Sequence, residues 1–292
     1  MGGVDFVDTD FRPDYRFLDV EGGRLAWWEQ GTGEDAIVWV HGLPLDSRSW
    51  EPQRRHFAPL CRNVFVDLRG YGQSSRLPAG TADVTGLYCS DLGALFDGAA
   101  LRRAMLVGFA SAGHVALRFA AHHSERVAGL VTINGSPCFR RQEDWPWGFA
   151  DDGIARFTAM AAARGIEGLT DAVLDPALVF KDLSPADGAR LAGWFRPMSL
   201  SAGVDTLMGF FAGIAGDDDR GLLPRIPART LLISSTLGEE VPAGVALFCR
   251  RQMPNALLAE LPDADHFAFA TRPQLVNALI EGMWMRERRS RG

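Results

Sequence analysis

The sequence has few cysteines and no cysteine pair of the kind that binds a metal or forms a redox motif. The four cysteines lie far apart, at Cys61, Cys89, Cys138 and Cys249. Such scattered cysteines are typical of reduced, partly buried thiols in cytosolic proteins. The histidines also lack the spacing of metal ligands, and no glycine-rich loop follows the first strand as a phosphate-binding site would need. We therefore expect no metal, no nucleotide and no other cofactor.

Long apolar segments and internal clusters of basic residues are also missing. No apolar run is long enough to span a membrane, and residues 1–8 have neither the basic nor the apolar region of a signal peptide. The net charge is −6, and a basic cluster occurs only at residues 286–291. Nucleic acids and membranes are therefore poor candidate partners. We expect a soluble, cytoplasmic protein, monomeric or homodimeric, whose partner is a small molecule.

The chain does contain an alternation of apolar strands and amphipathic helices. A β-hairpin is predicted over residues 15–29, and buried strands are predicted at 36–40, 63–66, 104–107, 127–134, 229–234 and 256–260. Helices are predicted between them at 49–60, 84–98, from the turn after 108 to about 121, 242–251 and 271–286. This alternation indicates a mostly parallel sheet with helices on both faces.

The alternation stops between residues 135 and 223, where no buried strand is evident. Helical segments at 154–164, 185–195 and 203–213 are broken by glycine and proline, and we predict a helical cap, residues 136–223, inserted into a core formed by 1–135 and 224–292. Aromatic side chains are concentrated there: Phe139, Trp145, Trp147, Phe149, Phe157, Phe180, Trp194, Phe195, Phe210 and Phe211. Trp145, Trp147, Trp194 and Phe195 offer large faces for an aromatic or polycyclic ligand, although several of these rings must only dock the cap.

The most specific local pattern is a strand that breaks at Gly108 into a tight turn and then a helix. This is the frame of a nucleophile elbow, in which a strained turn raises a reactive side chain above the sheet. In the matching register the nucleophile position is occupied by Ala110, and Gly113 is one of the small residues that let the helix approach the strand. If Ser111 were the nucleophile, Phe109 would stand where the elbow needs a small residue. We therefore reject Ser111 as the nucleophile.

Together with the elbow, three other segments resemble the α/β-hydrolase superfamily. In chain order these segments are Val40-His41-Gly42-Leu43-Pro44, Asp67-Leu68-Arg69-Gly70-Tyr71-Gly72-Gln73-Ser74 and Pro262-Asp263-Ala264-Asp265-His266-Phe267. The resemblance covers residues 15–286. It implies an α/β fold with an eight-stranded, mostly parallel sheet flanked by helices, and a cap after the sixth strand. It also implies a cofactor-free enzyme that hydrolyses small molecules.

The same resemblance implies roles for individual residues. His266, after the last strand, would be the general base, and the backbone N–H groups of Leu43 and Ser111 would form the oxyanion hole. For Ser111 and His114, an equally strong alternative is that they cap and pack the first turn of the helix. Residues expected to line the substrate pocket are His41, Gly42, His114 and Phe267, besides the cap aromatics.

Two positions depart from the pattern of the superfamily. Ala110 offers no oxygen, sulfur or carboxylate that could attack a substrate. Gly238 stands where the acid of the catalytic triad is normally an aspartate, and we take the adjacent Glu239 as the acid because its longer side chain could reach. Two alternatives remain open: Glu239 is only a carboxylate stabilised by a helix N-terminus, or Asn134 orients the histidine by hydrogen bonding.

Two hypotheses account for the alanine. In the favoured one, Ala110 replaces a nucleophilic serine in a hydrolase that cleaves an ester, a lactone or an activated C–C bond of a bulky apolar or aromatic molecule. The retained histidine and oxyanion hole support it. In the other, the chain is a divergent member without a native nucleophile, acting as a lyase, a cyclisation catalyst, another noncovalent catalyst or a binding protein. The irregular acid supports that alternative.

An aspartate nucleophile fits the sequence less well than serine. Haloalkane dehalogenases follow that aspartate with tryptophan, whereas Ser111 follows here. Epoxide hydrolases need tyrosines from the cap, and residues 135–223 contain none.

Overall fold

The computed structural model describes residues 11–78 and 80–289, with the backbone alone for 210–212. Residues 290–291 of the basic cluster and the side chains of Phe210 and Phe211 lie outside what is described. Within these ranges eight strands form one sheet: β1 (Arg16–Val20), β2 (Gly23–Gln30), β3 (Ala36–Val40), β4 (Arg62–Asp67), β5 (Ala104–Phe109), β6 (Val127–Ile133), β7 (Thr230–Ser235) and β8 (Ala256–Leu261).

The strands lie in the order β1-β2-β4-β3-β5-β6-β7-β8. β2 is antiparallel to both β1 and β4, and all the other neighbouring pairs are parallel. The predicted hairpin corresponds to β1 and β2. The order confirms the predicted α/β fold with an eight-stranded, mostly parallel sheet.

Helices cover both faces of this sheet. Their bounds are α1 (Glu51–Phe57), α2 (Val84–Gly98), α3 (Ser111–His122), α4 (Asp151–Val173), α5 (Pro176–Val179), α6 (Pro185–Ala202), α7 (Val204–Ala212), α8 (Ala243–Gln252), α9 (Ala268–Thr271) and α10 (Pro273–Arg289). Short 3₁₀ turns occur at Ser47–Trp50, Ser124–Arg126, Ile214–Gly216 and Arg220–Arg225.

Each face of the sheet has its own apolar cluster. Along β3, Val38 and Val40 pack into one cluster with α2, α3 and α8, whereas Ile37 and Trp39 pack into the other with α1 and α10. Successive side chains of a strand point to opposite faces, so a strand covered on both faces is apolar at every position. This explains why the sequence of β3 has no polar residue.

The helices α4 to α7 all lie between β6 and β7, as predicted for the insertion. α4 is broken at Gly165, whose φ of 58° and ψ of −152° are not helical, so its first part ends at the predicted residue 164 and a second helical part follows to Val173. α6 runs past its predicted end at residue 195 to Ala202, although Pro197 removes one N–H donor from the helix. The boundaries of the cap as a separate domain, 136–223, remain a prediction.

By length and composition, no single helix of the described residues could cross a membrane. α6 and the segment Val204–Gly216 pass that test only as a pair, which is bent by 86°.

Candidate active site

The turn between β5 and α3 has the backbone of a nucleophile elbow. Ala110 has φ 48° and ψ −113°, a backbone conformation that residues other than glycine rarely adopt. Its N–H donates to the Ile133 carbonyl at 2.9 Å, and its carbonyl accepts from the Gly113 N–H at 2.9 Å. These bonds hold the strained residue from both sides. The elbow therefore keeps its shape with a methyl group in place of a reactive side chain.

Close backbone contacts explain the glycines around the elbow. A Cβ atom on Gly108 would lie 2.5 Å from the Ala112 carbonyl oxygen, and one on Gly113 would lie 2.7 Å from the Gly135 Cα. Both distances are too short for real atoms, and the neighbours are backbone that cannot turn away. The backbone of the elbow strand thus approaches its helix, and the helix approaches the segment after β6, too closely for any side chain larger than that of glycine.

The loop after β3 is pressed against the elbow in the same way. A Cβ atom on Gly42 would lie 2.5 Å from the Phe109 carbonyl oxygen and 3.2 Å from the Ala110 Cβ. This approach brings Leu43 beside the elbow, where its N–H donates to the Ser111 Oγ at 3.0 Å. One of the two amides predicted for the oxyanion hole is therefore bonded to a hydroxyl of the protein itself.

His266 lies between β8 and α9 and is only 5% exposed. Its N–H donates to the Asp265 Oδ1 at 2.7 Å, and its carbonyl accepts from the Asn134 Nδ2 at 2.6 Å. The ring packs against Phe109, with the ring centroids 4.9 Å apart. Burial of the ring lowers the pKa of His266 below its ordinary value, against a smaller opposing effect of nearby carboxylates. The ring is thus neutral at neutral pH, as a general base must be.

The loop after β7 carries two glutamates at the cavity. The Glu239 side chain, predicted as the acid, is 83% exposed and accepts a hydrogen bond from the Lys181 Nζ at 2.7 Å, so its carboxylate is paired with an ammonium group. Instead, the Glu240 Oε2 lies 3.8 Å from the His266 Nδ1. Asn134 binds the His266 backbone carbonyl and Ser235, and within the described residues it forms no hydrogen bond to the imidazole ring. The sequence does not indicate which of the two glutamates faces the histidine ring, because loop residues follow no periodicity.

A cavity of about 310 Å³ lies over the elbow. It brings together six residues predicted for the site: Leu43, Ala110, Ser111, Glu239, His266 and Phe267. Gly42 supports this site through its contact with Ala110. On the side of the insertion, the cavity is lined by Phe139, Phe149 and Phe157, three of the aromatic side chains concentrated in that segment.

The tryptophans of the insertion are not among the residues that line this cavity. Trp145 is fully buried, donates from Nε1 to the Cys138 carbonyl at 3.1 Å and packs edge-on against Trp147 and Phe248. Both tryptophans therefore dock the insertion on α8. Trp194 lines a second cavity of about 450 Å³, beside Arg48 and Glu51.

Three other predicted pocket residues also lie behind the cavity wall. Phe195 is fully buried against Phe267. His41 is buried, its Nε2 accepts the Leu68 N–H at 3.0 Å, and burial lowers its pKa to about 4. His114 is also buried, with its Nε2 2.7 Å from an Asp219 oxygen and its ring stacked on Phe139, which faces the cavity. Both histidine side chains form hydrogen bonds in the interior, which explains why these polar groups are buried.

No group of three or more histidine, cysteine, aspartate or glutamate side chains within 11–78 and 80–289 is arranged to hold a metal ion. The polar groups at the cavity are therefore an imidazole, carboxylates, a hydroxyl and backbone amides. Such groups transfer protons and stabilise charge, but at position 110 nothing can form a covalent bond to a substrate.

Comparison with known proteins places this arrangement in a family. The family model described as the alpha/beta hydrolase family matches residues 37–279. A pimeloyl-[acyl-carrier protein] methyl ester esterase from Nitrosomonas europaea is 28% identical over 248 residues, which are 84% of this chain and 93% of that protein. The corresponding esterase from Yersinia enterocolitica is 27% identical over 271 residues, 88% of this chain and 96% of its own.

Solved structures show the same fold at lower identity. An esterase from Exiguobacterium antarcticum superposes with a TM-score of 0.84 at 21% identity, covering 94% of this chain and 100% of its own. The enol-lactonase from Burkholderia xenovorans superposes with a TM-score of 0.83 at 21% identity, covering 93% and 100%. The family match spans more than half of the sequence, and its relatives are named as hydrolases. This chain belongs to the alpha/beta hydrolase family.

Proposed function

We propose that this chain carries the site of a cofactor-free hydrolase for an apolar, aromatic carbonyl compound, either an ester, a lactone or an activated C–C bond. With alanine at position 110 the site binds its substrate but forms no acyl-enzyme. The observation that carries the proposal is the strained backbone of Ala110, at φ 48°, in the same cavity as a buried, neutral His266. A binding site alone would not need this turn.

A serine at position 110 would complete a familiar reaction. As its oxygen bonds to the substrate carbonyl carbon, His266 would accept the hydroxyl proton, and the N–H groups of Leu43 and Ser111 would stabilise the oxyanion. The imidazolium would then return the proton to the leaving group as the bond to that group breaks and the acyl-enzyme remains. A water molecule that gives its proton to His266 would attack the acyl carbon, and the bond to the serine oxygen would break as that oxygen takes the proton back, which releases the acid. Because the Leu43 amide is bonded to the Ser111 hydroxyl, the substrate oxygen would have to displace that hydroxyl.

The lining of the cavity supports an apolar substrate of moderate size. Its volume of about 310 Å³ is near the lower end of small-molecule sites, which range from about 300 to 1,000 Å³. The rings of Phe139, Phe149 and Phe157 offer flat apolar surfaces, which favours an aromatic or extended aliphatic acyl group. The names of the relatives, methyl ester esterases and an enol-lactonase among them, support ester or lactone cleavage.

A second candidate function is noncovalent catalysis or binding without acyl transfer. The observation that favours it is the hydrogen bond from the Leu43 amide to the Ser111 hydroxyl. In that arrangement the cavity would present a polarised hydroxyl to a neutral carbonyl, and His266 would abstract a proton from the bound molecule itself. Such a reaction needs no nucleophile at position 110.

Hydrolysis of 4-nitrophenyl esters of benzoate and short aliphatic acids tests the proposal. We expect Ala110→Ser to release 4-nitrophenol and the parent chain to release none above the buffer rate. The double variant Ala110→Ser/His266→Ala serves as control and should lose the gained activity. If Ala110→Ser is inert although its unfolding curve matches that of the parent, the proposal fails. Turnover by the parent chain that disappears in His266→Ala would establish the second candidate instead.

A further inference from the structure

The loop after β7 is fastened to the loop that carries His266. The Thr236 N–H donates to the Leu261 carbonyl at 3.2 Å, and the Leu237 N–H donates to the Ala264 carbonyl at 3.0 Å. These bonds join the two loops just before each reaches the cavity. Residues 238–240 are therefore held beside the histidine by backbone contacts, whatever side chains they carry.

A carboxylate oxygen of Glu240 and a ring nitrogen of His266 face each other, and both lack a hydrogen-bond partner within the described residues. The Glu240 Oε2 lies 3.8 Å from the His266 Nδ1, and neither atom has a hydrogen-bond partner among the described residues. A hydrogen bond between such atoms spans about 2.7–3.2 Å, so a side-chain movement of less than about 1 Å would form one. Two buried polar atoms left unpaired each carry a desolvation cost, which pairing them would remove.

The other acidic side chains near the ring are already engaged. Asp265 accepts the backbone N–H groups of His266 and Lys181, at 2.7 and 2.8 Å. Glu239 is bound by the Lys181 ammonium group. The aromatic rings that pack against the imidazole, those of Phe109 and Phe267, are apolar. Glu240 is thus the carboxylate available to the imidazole.

Gly238 leaves space where a shorter acid would fit. An ideal Cβ atom on Gly238 would lie 3.5 Å from the His266 Cα and 3.8 Å from its Cβ, both ordinary contact distances. Gly238 is also absent from the glycines with positive φ, so an L side chain is compatible with its backbone. A side chain at this position would therefore meet His266 without displacing it.

We infer that Glu240 is the positioning residue for His266, and that it does from position 240 what an aspartate at position 238 would do. Once the 3.8 Å gap closes, its carboxylate accepts a hydrogen bond from Nδ1–H, which fixes the tautomer and leaves Nε2 as the nitrogen that accepts a proton. The longer glutamate side chain covers the distance added by two residues. The inference rests on the proposed function, because the ring it orients is the proposed general base.

The test is an NMR titration of the His266 ring in the full chain with Ala110 in place, assigned by comparison with His266→Ala. We expect Glu240→Gln to lower the pKa of His266, since it removes a negative charge that favours the imidazolium. Gly238→Asp/Glu240→Gln should raise it again towards the parent value. The matched control Glu239→Gln should leave it unchanged. If Glu240→Gln folds poorly, the single variant Gly238→Asp tests the same contact, because it should raise the pKa of His266.

Kinetics in the Ala110→Ser background supply the second readout. Glu240→Gln should lower kcat by about 10-fold or more with KM unchanged, because a misoriented base loses part of the 10²–10⁴-fold that general-base catalysis contributes. Gly238→Asp should restore kcat. An unchanged pKa of His266 in Glu240→Gln, or a shift only in Glu239→Gln, overturns the inference. If the pKa shifts as expected but Ala110→Ser is inactive, the positioning contact stands and the hydrolase proposal falls.

Discussion

The elbow and the loop after β7 flank the same histidine, and each lacks the side chain expected from the family pattern. At the elbow the backbone is fully retained around Ala110, with its positive φ and two hydrogen bonds, and only the reactive group is missing. In the loop after β7 the expected position is the glycine Gly238, yet Glu240 brings a carboxylate to within 3.8 Å of the histidine ring. The elbow therefore offers no substitute for a reactive side chain, whereas the loop after β7 offers a carboxylate from a neighbouring position.

The difference follows from how each side chain is placed. A strained turn aims one residue at one point, so the hydroxyl of the next residue, Ser111, meets the Leu43 amide instead. A carboxylate that orients a ring can approach from several backbone positions, provided that its side chain is long enough. A nucleophile is therefore tied to one position of this fold, whereas the acid is not.

Removal of the shared histidine should give the largest effect. In the Ala110→Ser background, His266→Ala is expected to lower kcat/KM by about 10²–10⁴-fold, the usual contribution of a general base. His122→Ala, on the exposed end of α3, is the matched control and should change nothing. Steady-state kinetics with an aryl ester measure both. If His266→Ala keeps its activity, the two loops do not act through this ring.

Crowding the elbow should destabilise the fold. Gly113→Ala places a methyl group 2.7 Å from the Gly135 Cα, and we expect the free energy of unfolding to fall by about 1–3 kcal/mol, as for other overpacked sites. Gly282→Ala, in α10 with open space around it, should instead gain up to about 1 kcal/mol from helix propensity. Urea unfolding compares the two. Equal stability of both variants would show that close packing does not hold the elbow.

Relief of the strain at position 110 should stabilise the chain. Ala110→Gly removes a backbone cost of about 1–3 kcal/mol and adds the entropy cost of glycine, which leaves a net gain of about 1 kcal/mol. Ala112→Gly, in the regular part of α3, should lose about 1 kcal/mol. Urea unfolding measures whether each substitution raises or lowers the free energy of unfolding. A loss of stability in Ala110→Gly would mean that the alanine is not strained.

Release of the Leu43 amide should have the smallest effect. In the Ala110→Ser background, Ser111→Ala leaves that N–H unoccupied for the substrate oxygen, and kcat/KM is expected to rise severalfold, in line with a hydrogen bond of about 0.5–1.5 kcal/mol. Initial rates at low ester concentration measure the change. A lower kcat/KM would contradict this and favour the hydroxyl as the group that binds the carbonyl.

The fold could be predicted from the sequence because burial sets its periodicity. α2 has the predicted bounds, 84–98, and β3 is apolar throughout because both of its faces are covered. The elbow was recognisable because only glycine fits where backbone atoms approach within 2.5 to 2.7 Å. In both cases the contacts restrict which residues the sequence can have.

The distal parts of the site could not be predicted in this way. Composition marks the insertion as aromatic, but it does not distinguish Phe139, which faces the cavity, from Trp145, which faces α8. The sequence favours Glu239 over Glu240 only because Glu239 is adjacent to position 238, but the directions of adjacent loop side chains are set by tertiary contacts. Lys181, from the insertion, binds the first of them and leaves the second beside the ring.

If the elbow lacks only a reactive side chain, a serine at position 110 should be an activated nucleophile. Intact-protein mass spectrometry after exposure to an aryl fluorophosphonate tests it most directly, because this reagent phosphonylates activated serine hydroxyls. We expect one adduct in Ala110→Ser, mapped by peptide analysis to position 110, and none in the parent chain or in Ala110→Ser/His266→Ala. A folded Ala110→Ser variant without an adduct, or an equal adduct in the parent chain, would contradict it.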